Sequence, residues 1–138
     1  MEEKTGRAYS FAYWLLYLGF TAAPILAGAD KFLYILGNWS VYLAPQIREL
    51  LPISVDAFMK IVGVVEIFAG LLVWFRPKLG GYIVSGWLAA IIINIILSGE
   101  YYDVALRDFG LALGALALAK LSTSECRFKY GREARAAV

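Results

Sequence analysis

Six polar residues set in long apolar segments are the side chains of this sequence with the chemistry to form a site. Glu66 lies in the middle of "IVGVVEIFAGLLVWF", residues 61–75, whose other members are aliphatic, aromatic or small. An unpaired carboxylate there is energetically costly, so Glu66 is either protonated or paired with a cation such as Arg107. The six candidates for ligand binding or proton exchange are Asp30, Lys31, Glu66, Asn94, Arg107 and Asp108.

The composition argues against other kinds of site. The sequence has no histidine, which removes the usual ligands of zinc and haem and the readiest proton shuttle. Its single cysteine, Cys126, can form neither an internal disulfide nor a thiol relay. No basic stripe indicates nucleic-acid binding. We therefore predict no metal site, no intrinsic cofactor and no nucleic-acid partner.

The six polar residues must be positioned by helices that cross a membrane. Hydrophobic residues make up 61% of the 138 residues and the mean hydropathy is +0.67, which is too high for a soluble domain of this size. Four apolar segments are near the ~20 residues that a helix needs to cross the hydrocarbon core. We predict an all-α polytopic membrane protein, a single domain over 1–138 that forms a four-transmembrane-helix bundle in the lipid bilayer. The predicted spans are 9–29, 55–75, 79–97 and 104–121.

The segments outside the spans predict the topology. The connection 30–54 is rich in aromatic and aliphatic residues, so either it lies in the outer interface of the membrane or the first helix continues to about Leu36. Nine of the 13 Lys and Arg residues fall on the side that holds both termini, which predicts that both termini are cytoplasmic. The basic cytoplasmic tail, 122–138, is predicted to contact the anionic inner leaflet.

The first apolar segment also resembles a secretory signal. Lys4 and Arg7 precede it, and Ala27-Gly28-Ala29 resembles a cleavage site. However, the segment is longer than the ~7–15 apolar residues of a signal core, and Pro24 interrupts it. We therefore predict that it is retained as the first membrane helix.

Helical spacing places the polar residues on the small-residue faces of their segments. Residues three, four or seven apart share a face, and small residues mark faces where membrane helices approach closely. We therefore predict that the polar faces converge inside the bundle as a funnel that opens outward. Glu66, twelve residues after Ser54, is at its floor, roughly 18 Å deep at ~1.5 Å per residue. The residues predicted to pack around the site are Gly63, Gly70, Gly110, Gly114 and Trp87.

Two further patterns bear on partners and ligands. Gly110 and Gly114 form a GxxxG spacing, which serves either packing within the bundle or association into a homo-oligomer. Most aromatic residues lie near predicted helix ends or, like Trp39, in the first connection, as in an interfacial belt. Only Phe68 and Trp87 lie deep enough to stack against a ring-shaped ligand.

Three segments resemble the DoxX family of small four-helix membrane proteins: "GADKF" at the end of the first helix, "VGVVEIFAGLLV" in the second and "YYDVALRDFGLALGALAL" in the fourth. The resemblance extends over residues 9–121. The functional positions that it implies are Asp30, Lys31, Glu66, Gly70, Arg107 and Asp108.

The resemblance implies more than one kind of function. One branch of the family is linked to thiosulfate:quinone oxidoreductase, and other relatives are associated with membrane redox and oxidative-stress systems. Similar eukaryotic proteins act as receptor-assembly chaperones. The redox-active relatives that use cysteine pairs differ from this sequence, which has one cysteine, so thiol chemistry is not predicted.

Hypotheses from different functional classes follow. In the first, a DoxX-type protein of the bacterial cytoplasmic membrane binds a quinone-like or other small amphiphilic ligand in its polar cavity. It serves a membrane redox or stress-response system, and a partner protein supplies the electron transfer. In the second, the polar residues are a structural network that fixes helix register, and the protein is a non-enzymatic membrane chaperone or complex subunit. A small transporter is disfavoured because no inverted repeat is evident. In the first hypothesis Glu66 exchanges a proton, Arg107 and Asn94 orient a carbonyl or anion, and Asp30 and Asp108 hold Arg107.

Overall fold

The computed structural model describes the backbone of residues 2–136 and the side chains of residues 9–123. Every regular element in this part of the chain is helical, with no β-strand among residues 2–136, which confirms the all-α prediction. The elements are α1 (Glu2–Leu33), a 3-10 helix (Trp39–Tyr42), α2 (Pro45–Leu50), α3 (Val55–Phe75), α4 (Pro77–Ser98) and α5 (Tyr102–Ala136).

Three helical stretches within the described residues are long and apolar enough to cross a membrane, and they are Tyr9–Leu33, Val55–Phe75 and Pro77–Ser98. They cover the first three predicted spans. The fourth predicted span, 104–121, is helical as part of α5, but it carries Arg107, Asp108 and Lys120 and is not among these stretches. A fourth spanning helix and the side of the membrane that holds the termini stay predictions.

Local signals set the ends of the helices. The hydroxyl oxygen of Ser54 accepts a hydrogen bond from the Ala57 amide at 3.2 Å and so caps the start of α3. Pro77 begins α4, a position where a backbone N–H has no helical acceptor, and Arg76 alone separates α3 from α4. Gly99 ends α4 with a φ of 75°, a left-handed conformation that glycine adopts without strain.

The long helices pack mainly as two pairs, α1 with α3 and α4 with α5. Smaller contacts between α3 and α4 and between α1 and α5 join the two pairs. The core that results draws buried side chains from all four helices, and these are Phe20, Ala69, Val73, Val84, Ala115 and Leu118.

Glycines set the close separation within each pair. A Cβ atom built on Gly63 of α3 would lie 2.6 Å from the carbonyl oxygen of Gly28 in α1, and a Cβ on Gly28 would overlap the carbonyl oxygen of Gly63. In the other pair, a Cβ on Gly81 of α4 would lie 2.7 Å from the carbonyl oxygen of Ala115 in α5. Small residues therefore mark helix contacts here, as the sequence pattern predicted.

Large apolar side chains cover the outside of the bundle. Phe11 of α1 is 71% exposed, Phe68 of α3 is 66% exposed and Leu106 of α5 is 73% exposed. Soluble monomers rarely expose contiguous apolar patches of this kind, so this surface contacts the lipid bilayer.

The first connection begins after Leu33, later than the predicted residue 30. α1 ends at Leu33, between the two alternatives of residue 29 and about residue 36. Tyr34 then has a φ of 55°, and the chain turns back over the end of the bundle as residues 34–44, which we call the strap. At the other end of the chain, α5 extends to Ala136, and the side chains of most of the predicted tail, 124–138, lie outside the described residues.

Candidate functional site

A buried ion pair between α1 and α3 is the centre of the candidate site. The Lys31 ammonium donates a hydrogen bond to Glu66 Oε2 at 2.5 Å, and the two side chains are only 5% and 9% exposed. The sequence predicts that Glu66 is either protonated or paired with a cation, and in the structure it is paired. Its cation is Lys31 on the neighbouring helix.

The packing of α1 against α3 explains how these two side chains meet. Gly28 and Gly63, each three residues before a charged residue, lie in backbone contact. Side chains on a helix tilt towards its N-terminus, and α1 and α3 run in opposite directions. Lys31 therefore extends along α1 towards Gly28, and Glu66 extends along α3 towards Gly63. Because Gly28 and Gly63 are in contact, the two charged groups meet beside them.

Arg107 does not have its expected place at the centre of the site. Its side chain is 62% exposed, and its Nε donates a hydrogen bond to Oδ1 of the adjacent Asp108 at 3.1 Å. Asp108 itself is buried. Glu66 is thus paired with a cation, but Arg107, the example that the sequence suggested, is not that cation, because Lys31 occupies the carboxylate. Residue spacing shows which residues share a helical face with Arg107. It does not show whether that face points to the core or to the surface of the bundle.

Asp30 holds the strap instead of Arg107. Its Oδ1 accepts hydrogen bonds from the amides of Ile35 at 2.9 Å and Leu36 at 3.0 Å, and its Oδ2 accepts one from Trp39 Nε1 at 2.7 Å. These bonds satisfy a carboxylate that is only 4% exposed and fix the turn that begins at Tyr34. The expectation that Asp30 holds Arg107 is a second correction.

Trp39 is the site residue that the sequence did not reveal. Its ring lies over the Lys31 ammonium, with Nζ 4.2 Å from the ring centroid, while its indole N–H binds Asp30. The sequence pattern predicts an interfacial aromatic belt for Trp39 instead. Helical spacing could not predict this role, because Trp39 belongs to the irregular strap and not to one of the long helices.

Asn94 of α4 fixes the other end of the strap. Its Oδ1 accepts a hydrogen bond from the Ala44 amide at 3.0 Å, and its Nδ2 donates one to the Tyr42 carbonyl at 2.7 Å. Both polar atoms of Asn94 are thus bound to backbone. The geometry makes Asn94 an anchor of the strap, in place of the ligand contact that we expected.

The predicted packing residues divide into two groups. Gly63 and Gly70 lie at close contacts with α1, and a Cβ on Gly70 would lie 2.8 Å from the Thr21 carbonyl oxygen. Gly114 packs against the ring of Phe20, also on α1. Gly110 is exposed and a Cβ there would meet nothing within 4 Å, so its predicted role in packing around the site is wrong within this chain.

An apolar groove lies apart from the ion pair, between α3 and α4. It has a volume of about 390 Å³, and Phe68 and Trp87, the residues expected to stack on a ring-shaped ligand, both line it. Glu66 is not among its lining residues. Trp87 Nε1 is buried and has no hydrogen-bond partner in the described part of the chain.

The described side chains contain no group of three or more His, Cys, Asp or Glu residues placed to hold a metal ion. No protein-family model, curated protein or solved structure matches this chain. The function must therefore be inferred from the contacts of the site itself.

The role of Asp30 leads to a first test. Asp30→Asn can keep the oxygen that binds the Ile35 and Leu36 amides, but its amide N–H groups then face the indole N–H of Trp39. We expect the free energy of unfolding in detergent to fall by about 1–3 kcal/mol, the usual cost of an unsatisfied buried donor.

The matched control for this test is Asp103→Asn in the exposed first turn of α5. We expect a change within about 0.5 kcal/mol, as for most surface substitutions. Equal stability of the Asp30 and Asp103 variants in denaturant titrations followed by circular dichroism would contradict the role assigned to Asp30.

Proposed function

We propose that this chain is a DoxX-like protein of the bacterial cytoplasmic membrane that binds a quinone-like or other small amphiphilic ligand at the Lys31–Glu66 pair. In this proposal the segment 104–121 of α5 is the fourth span and both termini are cytoplasmic. The observation that carries it is the buried ion pair on two helices apolar enough to cross a membrane. Ionisable residues inside membrane helices are rare and usually functional.

The chemistry of the pair suits a ligand that carries oxygen atoms and exchanges protons. The Lys31 ammonium can donate a hydrogen bond to a carbonyl oxygen, and Glu66 can accept a proton from a hydroxyl once its bond to Lys31 is broken. The apolar helix faces around the pair suit the rest of an amphiphile. A redox partner protein in the membrane would supply or take the electrons, within a redox or stress-response system.

The proposal is tested by the molecules that copurify with the protein. We expect organic extraction followed by mass spectrometry to find a quinone or a defined amphiphile enriched in wild type and lost in Glu66→Gln. Samples must be matched for helical content and monodispersity, because Glu66→Gln leaves Lys31 without its counter-ion.

The control for this experiment is Asp56→Asn. Asp56 also forms an ion pair on α3, at 2.7 Å with Lys60. The side chain of Lys60 is 47% exposed and that of Asp56 is 57% exposed. Asp56→Asn should keep the ligand. Loss of the ligand from both variants would show that its retention depends on α3 in general and would contradict a site at Glu66.

A second candidate function rests on a different observation. The charged groups of Asp30, Lys31 and Glu66 are all bound to groups of this same chain. Such an internally satisfied cluster suits a scaffold that fixes helix register in a membrane chaperone or complex subunit. Bulk lipid alone in every extract would favour this second function, and crosslinking in native membranes would then identify the partner.

A further inference from the structure

We propose that the Trp39 side chain occupies the place of the ligand's ring, and that the ligand is a flat ring with a hydrogen-bond donor, of the phenol or hydroquinone type. This inference rests on the proposed function and deepens it by naming the chemical class that the site binds. Its first support is the pair of contacts made by one side chain. The indole ring covers the Lys31 ammonium at 4.2 Å, and its N–H donates to Asp30 Oδ2 at 2.7 Å.

These contacts define what could replace the indole. An aromatic face over an ammonium is attracted by the ring quadrupole, and an ionised carboxylate only accepts hydrogen bonds. A replacement must therefore present an aromatic face to Lys31 and an O–H or N–H to Asp30. A hydroquinone has both, with one hydroxyl donating to Asp30 and the ring lying over the Lys31 ammonium. An oxidised quinone has only acceptor oxygens and cannot donate to Asp30, so the place of the indole favours the reduced form.

The strap is built so that Trp39 can leave without unfolding the bundle. None of the residues of the 3-10 helix Trp39–Tyr42 is fully buried, whereas Leu43 and Ala44 are 5% and 0% exposed. Asn94 holds the buried end of the strap through the Ala44 amide and the Tyr42 carbonyl. Asp30 also holds the amides of Ile35 and Leu36, and Arg48 donates a hydrogen bond to the Ser40 carbonyl at 3.1 Å. In this proposal only the Trp39 side chain therefore leaves its place, while the backbone of the strap keeps these bonds.

The test measures binding of small rings to the Trp39→Ala variant by titration calorimetry in detergent. The probes are indole, tetramethylhydroquinone kept reduced without oxygen, tetramethylbenzoquinone and tetramethylbenzene. Wild type in the same detergent corrects for partition into micelles. We expect indole and the hydroquinone to bind the variant at least about tenfold more tightly than wild type, because Trp39 no longer competes for the place. The hydroquinone should also bind about tenfold more tightly than tetramethylbenzene, the effect of one hydrogen bond to a charged group.

Equal binding of tetramethylbenzene and the hydroquinone, or no gain over wild type for any probe, would overturn the proposal. If Trp39→Ala does not fold, the test uses wild type and the ¹⁵N resonance of the Trp39 indole. That resonance should shift with saturating hydroquinone and stay in place with tetramethylbenzene. An unchanged resonance would refute the inference. Because none of these measurements depends on the copurified ligand, a failed extraction and a failed titration would be told apart.

Discussion

Lys31→Met is expected to lower the free energy of unfolding by about 3–5 kcal/mol, the cost of leaving one partner of a buried ion pair uncompensated. Methionine fills much of the space of the lysine side chain, so the loss of charge dominates the effect. Glu66 then has no cation in its ion-pair position, and Trp39 loses the ammonium beneath its ring. The measurement is equilibrium unfolding in mixed micelles, followed by far-ultraviolet circular dichroism.

The double variant Lys31→Met with Glu66→Leu should recover most of this loss. Replacing both members of a buried ion pair by apolar residues of similar volume is often neutral or stabilising, because neither charge then has to be desolvated. The control is Lys60→Met, which removes the cation of the exposed pair with Asp56 and should cost no more than about 1 kcal/mol. A Lys31→Met variant as stable as Lys60→Met would show that the buried pair contributes nothing to the fold.

Gly28→Ala is expected to separate α1 from α3. The added Cβ would overlap the Gly63 carbonyl oxygen and would lie 2.9 Å from Ile67 Cγ1, and a backbone carbonyl in a helix has little freedom to move. Overpacking costs about 1–3 kcal/mol and occasionally more, and this contact belongs at the upper end because backbone meets backbone. We expect a loss of about 3 kcal/mol in the same unfolding experiment, together with greater solvent access to Lys31.

Gly110→Ala is the matched control for Gly28→Ala. Both are helical glycines, but a Cβ on Gly110 would meet nothing within 4 Å. Alanine has a higher helix propensity than glycine, so Gly110→Ala should be neutral or stabilising by up to about 1 kcal/mol. If Gly110→Ala were the damaging variant, its GxxxG face would pack on a second copy of the chain, and the variant would also change the oligomeric state in analytical ultracentrifugation.

The elements of this fold could largely be predicted from the sequence, because apolar runs bounded by proline, serine and glycine define helices locally. The second predicted helix, 55–75, has the same residues as α3. The small-residue face of Glu66 was also accessible from spacing, since Gly63 and Gly70 both lie at the contact with α1.

The partners within the site could not be predicted in the same way. Helical spacing identifies faces, but it does not say which helix lies opposite or in what register, and so it could not distinguish Lys31 from Arg107 as the cation of Glu66. The strap was harder still to predict. Its path depends on bonds from Asp30 and Asn94 to an irregular segment, and Asn94 lies about 50 residues from the amide and the carbonyl that it holds.

The position of Lys31, two residues before the end of α1, bears on how the chain enters the membrane. The ribosome makes α1 before α3, and a lysine near a helix end can extend its ammonium to the headgroups until α3 is made. Glu66 has no such route from the middle of α3, which a single residue joins to α4. The synthesis order thus supplies the cation before the carboxylate arrives, so Glu66 need not be stranded in lipid during biogenesis.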